Sequence, residues 1–490
     1  MRRRTFIAVV VTLLVLGGST LSALRSASPS ARLRGDAPGE QARAGGSGNP
    51  DAGEQAGMTA EHLQAIAAAK SSGTFGVASQ VPRLSTPGWA GEAVFDPKAD
   101  DWEPAVAADP NAPYVYILAT HFGAKPCSGN CPVPWMALRV SKDGGKSFGA
   151  TQTLCACKGS WQYDPIIEVV QNTGVVYAAY LNGFNTEFVK STDHGKTWSL
   201  PVDTFGNVSW TDKPVLTTSA SGRDVYISFN GPTGGDPWMA VSHDFGTTWT
   251  QTRVDESARY YFAYDAAVLP DGTVIFSEGS IDYSGPGTTA VGLVEHRAFV
   301  SKDRGATWTN VLVDTVPIGE PCTAAGCISD FYLGHSGVST DSNGNLSYVY
   351  DGATVDQGPQ RIWVRQSTDD GLTWSSRTSL SVAGEEATSP AIEATGNGDV
   401  RVWYMQTNGG NVDAWNVWYR SSQNAGATWT APVKISDAIG GAVYKTPQGF
   451  QEIYGDYGEI AITSSGKTFG IWGEGASYTG PGGVWWNLQT

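Results

Sequence analysis

Two short apolar strands joined by a polar turn recur seven times along this chain. The copies are EPAVAADPNAPYVYILAT (103–120), DPIIEVVQNTGVVYAAY (164–180), KPVLTTSASGRDVYISF (213–229), DAAVLPDGTVIFSE (265–278), HSGVSTDSNGNLSYVY (335–350), SPAIEATGNGDVRVWYM (389–405) and DYGEIAITSSGKTFGIWGE (456–474). Their β-branched and aromatic residues, with turn signals between, predict paired β-strands. This character begins near Phe75 and continues to the end. Upstream, Thr59–Lys70 is Ala-rich and predicts one short helix capped by Thr59. Residues 28–57 hold almost no large apolar side chains and predict a flexible linker.

Between the strand pairs lies a second repeat, Ser-x-Asp-x-Gly-x-Thr-Trp. It reads SKDGGKSF at 141, STDHGKTW at 191, SHDFGTTW at 242, SKDRGATW at 301 and STDDGLTW at 367, with a weaker SQNAGATW at 422. An Asp side chain can accept backbone N–H groups of its own turn. The Gly can take φ > 0, as a tight hairpin needs. The closing Trp is large enough to anchor the turn between neighbouring sheets. These Asp residues are therefore expected to fold the protein rather than to catalyse. Self-similarity at this period means a solenoid, a propeller or an array.

The repeat resembles the Asp-box of the sialidase superfamily, over residues 102 to 490. The resemblance implies an all-β Asp-box propeller with these turns on the face away from the active site. Seven strand pairs predict seven four-stranded blades, and six if one pair is misread. The last blade lacks an Asp-box. Its third strand is expected at Gly483–Leu488, and its fourth from the N-terminal side within Val77–Phe95. Asp341-Ser342-Asn343-Gly344-Asn345 faintly resembles a calcium loop but falls at a hairpin turn, and the turn is the preferred reading.

Charge narrows the partners. The chain carries 32 Lys and Arg against 47 Asp and Glu, a net −15. Phosphate binding needs a basic surface, so nucleic acid is disfavoured. Met1-Arg2-Arg3-Arg4 precedes the apolar run Phe6–Leu16, too short to span a membrane comfortably. Residues 1–27 are read as an export signal of the Sec or twin-arginine type, 28–74 as linker and 75–490 as the propeller. The mature chain is expected outside the cell without a membrane span, as a monomer. Six cysteines in an exported chain suggest disulfides. Cys322 and Cys327 are expected to pair locally. Cys127, Cys131, Cys155 and Cys157 pair either within each loop or across the two, with a zinc site as the weaker alternative.

If the Asp-boxes mark the bottom, the loops entering each innermost strand lie on top, where binding sites gather. The residues there are Glu103, Asp164, Asp212-Lys213, Tyr264-Asp265, His335, Ser389 and Asp456-Tyr457. Carboxylates crowded in a cleft raise one another's pKa and furnish general acids. Glu103, Asp164, Asp212 and Asp265 are therefore candidate acids and bases for glycoside cleavage, with His335 and Tyr457 as further catalytic candidates. Tyr457 resembles in placement the sialidase nucleophilic Tyr. Trp161, Tyr163, Trp210, Lys213, Tyr264 and Asp456 are candidate substrate contacts.

The sialidase arginine motif finds only Val81-Pro82-Arg83-Leu84, in reversed order. The expectation is therefore a secreted, sialidase-like enzyme acting on a glycan or polysaccharide by carboxylate acid/base chemistry, without a cofactor. The alternatives are a polysaccharide lyase using His335 and a Tyr, and a non-catalytic binding propeller.

Overall fold

The computed structural model describes Pro82 to Thr490 except residues 125, 130, 155–160, 232–234, 258, 283, 285–289, 320–333, 443–457 and 476–481. Upstream it describes Gln64, Ala67, Ala68, Ser71 and Ser72, all helical. Among the described residues the strands form seven four-stranded antiparallel sheets, six of them built in chain order from the inside outwards. The innermost strands of blades 1 to 7 are Asp100–Ala108, Gln162–Val169, Asp212–Thr218, Tyr260–Val268, Ser336–Thr340, Ala387–Thr395 and Glu459–Ile462. The seven-bladed reading holds. No described helix is long and apolar enough to cross a membrane.

Blade 7 closes the ring. Its outermost strand is Ala93–Val94, which pairs with Trp486 and Trp485 of Gly482–Leu488. Both expectations for this blade are met, the first within one residue. Arg83 tightens the seam. Its guanidinium stacks 3.7 Å from the Trp485 ring centroid and pairs with Glu92 and Glu474. Arg83 is thus committed to the closing blade. Cys127 and Cys131 form a disulfide, whereas Cys155, Cys157, Cys322 and Cys327 lie outside the described residues.

The Asp-boxes behave as local chemistry dictates. Asp193 accepts the Thr197 backbone N–H at 2.9 Å and the Thr197 hydroxyl at 2.7 Å. Ser191 Oγ accepts the Gly195 N–H at 2.9 Å. The Thr197 bonds to the charged form hold the Asp193 carboxyl down at about 2. Asn424 keeps the scheme in the weak copy, its Oδ1 accepting the Thr428 N–H at 2.9 Å. The residue before each Gly also takes a left-handed φ, at His194, Phe245, Arg304, Asp370 and Ala425. Trp198 packs on a core built from blades 1 and 2, and Trp249 meets Phe188 of blade 2 at 5.3 Å. Asp341 serves its own hairpin, accepting the Asn343 and Asn345 N–H groups at 2.9 Å.

The inner strands enclose a central channel of about 860 Å³. Glu168, Asp265, Glu393 and Glu459, from blades 2, 4, 6 and 7, line it. Two of them bridge blades: Glu459 accepts the Val106 N–H at 2.6 Å and Asp265 the Val338 N–H at 3.1 Å. Enclosure by protein disfavours the charged forms. Desolvation raises Glu168 to about 8 and Asp265 to about 7. Glu393 and Glu459 are pushed well above the carboxylate range by desolvation and by the other channel carboxylates.

Two predictions follow from the seam and the channel. Replacing Arg83 with Met leaves Glu92 and Glu474 facing each other unneutralised. Stability should fall by about 3 kcal/mol in urea unfolding, and Glu474→Gln in the same chain should restore part of it. An undiminished midpoint in Arg83→Met would show that the pair contributes nothing to closure. For the channel, a raised carboxyl binds more protons folded than unfolded. Its contribution is fully present below the unfolded value of about 4 and is lost as pH rises through the folded value. The melting temperature should therefore decline from about pH 5 to about pH 9, and less steeply in Glu168→Gln; parallel declines would contradict this account.

Candidate functional site

The upper ends of the innermost strands share a backbone device. Glu103, Asp164, Lys213 and Ser389 take left-handed φ of 51°, 49°, 46° and 50°. Each immediately precedes a proline, and each sits at a break in register with the second strand of its blade. A bulge of this kind kinks the strand and re-aims a side chain. Left-handed backbone at a non-glycine residue is costly and persists only where its surroundings enforce it. The repeated X-Pro dipeptide is the sequence signal for these bulges, and periodicity alone did not expose it. Blade 4 has its break at Tyr264, without a proline.

The side chains so placed have different fates. Glu103 is buried, accepting the Thr120 hydroxyl at 2.6 Å and the Asp164 backbone N–H at 2.9 Å. It therefore ties blade 1 to blade 2. Asp164 and Asp212 are also buried, Asp164 at the bulge of blade 2 and Asp212 one residue before that of blade 3. Trp161, Tyr163 and Trp210 pack with Trp102, Phe122 and Phe184 into one buried aromatic cluster. Trp161 meets Phe184 at 5.0 Å and Tyr163 at 5.8 Å. These rings contact each other and do not line the channel. Asp456 and Tyr457 lie outside the described residues.

Blades 3, 4 and 5 bring their residues together. Lys213 Nζ lies 4.5 Å from the Tyr264 ring centroid. Tyr264, half-buried, lies 5.1 Å from the His335 ring. His335 is buried, and its Nδ1 meets Asp351 Oδ2 at 2.8 Å. Thr388 of blade 6 donates to the same oxygen at 2.8 Å. Lys213, Tyr264, Asp265 and His335 all line the channel. Asp265 adds a carboxyl next in sequence to Tyr264, with its Oδ1 accepting the Ala266 N–H at 2.8 Å.

This rim offers an imidazole oriented by a carboxylate, a phenol, an ammonium group and a carboxyl that is part-protonated near neutral pH. That set can exchange protons and hold an anion. Among the described residues lining the channel there is no arginine, so they do not assemble the three-arginine clamp of sialidases. Asp351 and Thr388 escaped sequence reasoning. Both lie in ordinary strand sequence and acquire their roles only when second and first strands of adjacent blades meet.

A search of curated proteins by sequence finds no match. Solved structures align over most of the chain. An ulvan lyase bound to -[GlcA(1-4)Rha3S]- is 10% identical, with 82% of this chain and 95% of that one covered and a TM-score of 0.49. A protein of unknown function from Dyadobacter fermentans is 13% identical, with 82% and 99% covered and a TM-score of 0.47. An intramolecular trans-sialidase from Ruminococcus gnavus is 13% identical, with 82% and 96% covered and a TM-score of 0.40. At these identities and TM-scores the alignments carry no argument about this chain's chemistry. Residues 189–200, the second Asp-box with its flanks, match the BNR/Asp-box repeat model, and with the seven sheets this makes the chain a seven-bladed β-propeller built on BNR/Asp-box repeats.

Proposed function

We propose that this chain is a secreted carbohydrate-active enzyme that cleaves glycosidic bonds of an acidic glycan at the upper mouth of its channel. The observation that carries the reading is the convergence of Lys213, Tyr264 and the Asp351-bound His335 from three successive blades. Export is inferred from Met1-Arg2-Arg3-Arg4 and the apolar run behind it.

The group suits β-elimination next to a uronate. Lys213 holds the carboxylate and so makes the adjacent C–H more acidic. With Nδ1 engaged by Asp351, proton abstraction falls to His335 Nε2. The electron pair left on carbon forms a C=C bond as the glycosidic C–O bond breaks. The Tyr264 hydroxyl protonates the departing oxygen. Hydrolysis is the second reading. It is favoured by Asp265, whose carboxyl, raised to about 7 by burial, retains a proton to donate. Glu103 suits neither role, since its carboxylate already joins two blades.

Purified protein should be incubated with uronate polysaccharides, sialosides and neutral glycans. Elimination yields an unsaturated, ultraviolet-absorbing product; hydrolysis yields new reducing ends without absorbance. His335→Ala should lower kcat/KM by about 10²–10⁴-fold, and Lys213→Ala should act mainly by raising KM. Turnover unchanged by His335→Ala would discard this site. Binding of a glycan without turnover of any would discard the enzyme reading.

A further inference from the structure

The His335–Asp351 pair rests on groups that never reach the channel. Asp351 and His296 are fully buried. The Asp351 backbone N–H donates to the His335 carbonyl at 3.0 Å. The Asp351 carbonyl meets His296 Nε2 at 2.9 Å. His296 lies on Val291–Ser301, the third strand of blade 4, and Thr388 on the first strand of blade 6. One residue of blade 5 is thus gripped from both neighbouring blades. On its carboxylate, Oδ2 takes both His335 and Thr388, while Oδ1 has no hydrogen-bond partner among the described residues.

His296 is confined by aromatic rings, with Tyr350 at 4.5 Å and Tyr348 at 6.5 Å. Tyr350 in turn donates to Asp314, whose charge also acts on His296. Burial lowers His296 to about 4, so the ring is neutral at working pH and carries one N–H. A carbonyl acceptor places that hydrogen on Nε2, and His296 Nδ1 has no hydrogen-bond partner among the described residues.

We propose that His296 is a positioning residue: by donating to the Asp351 carbonyl across the blade 4–blade 5 interface, it sets the carboxylate that orients His335. The role rests on the reading of His335 as the proton-abstracting base. It is not a contact with substrate, because His296 lies outside the channel lining. Supporting partners of this kind fix ring orientation and basicity in many sites.

The test is nitrogen-15 NMR of histidine-labelled protein beside steady-state kinetics. In the wild type, His296 should appear neutral with its proton on Nε2. His296→Phe fills the same space without a donor. It should move the His335 titration midpoint about one pH unit lower, because the Asp351 charge is less well held. It should also lower kcat about tenfold with KM nearly unchanged. His296→Gln, with an amide N–H able to reach the same carbonyl, should restore both. A His335 midpoint unmoved in His296→Phe overturns the proposal. So does a wild-type His296 protonated on Nδ1, a result that needs no variant and holds even where the Phe variant fails to fold. The titration can be read with no glycan turnover at all, so its failure is separable from failure of the enzymatic reading.

Discussion

The pairing of Ala93–Val94 with Trp485 and Trp486 joins the two ends of the propeller chain, and the channel exists only while that join holds. Seven sheets packed around an axis are stable as a closed ring because each buries its faces against two neighbours. An open ring would expose two of those faces. The pairing itself spans two residues, too few to close a domain of this size. Arg83 stacked on Trp485 and bound to Glu92 and Glu474 supplies the tertiary part of the closure. Trp89, buried against Tyr419 of blade 6, extends it.

Closure has an electrostatic consequence. Bringing seven first strands around one axis gathers Glu168, Asp265, Glu393 and Glu459 into a shared channel. Apart, each would be an ordinary surface carboxylate. Together, and enclosed, they favour protonation, and two of them use their oxygens to satisfy backbone N–H groups of the next blade. The bulges above them are a second consequence. Glu103, Asp164, Lys213 and Ser389 hold strained backbone that an isolated hairpin would relax. The neighbouring blade enforces it, as the Glu103 bond to the Asp164 N–H illustrates. Strain and polar convergence thus coincide at one end of the axis, while the Asp-boxes, with their Asp and Ser oxygens taken up inside their own turns, lie at the other.

Much of the fold was legible because its signals are local. An Asp, a Gly and an aromatic at fixed offsets define a self-satisfied turn wherever they occur, and even Asn424 preserves it. Alternating apolar strands marked the blades, and counting them against Asp-boxes yielded seven against six. The site was legible only in part. Lys213, Tyr264, Asp265 and His335 stood out as unusual residues at strand starts. Trp161, Tyr163 and Trp210 stood out as aromatic candidates for substrate contact, yet the fold buries them together. No pattern distinguishes an aromatic that lines a channel from one that packs behind it, because the difference lies in which neighbour arrives beside it.

What the sequence by itself determined, therefore, is everything governed by contacts within a few residues: strands, hairpins, Asp-box turns and their repeat. Only the tertiary structure decided which residues meet across blades. Asp351 meets His335 along one blade, but His296 and Thr388 reach it from the two beside it, 55 and 37 residues away in the chain. Such contacts depend on the angle between packed sheets and on a closed ring, and neither is a property of any local stretch of the chain.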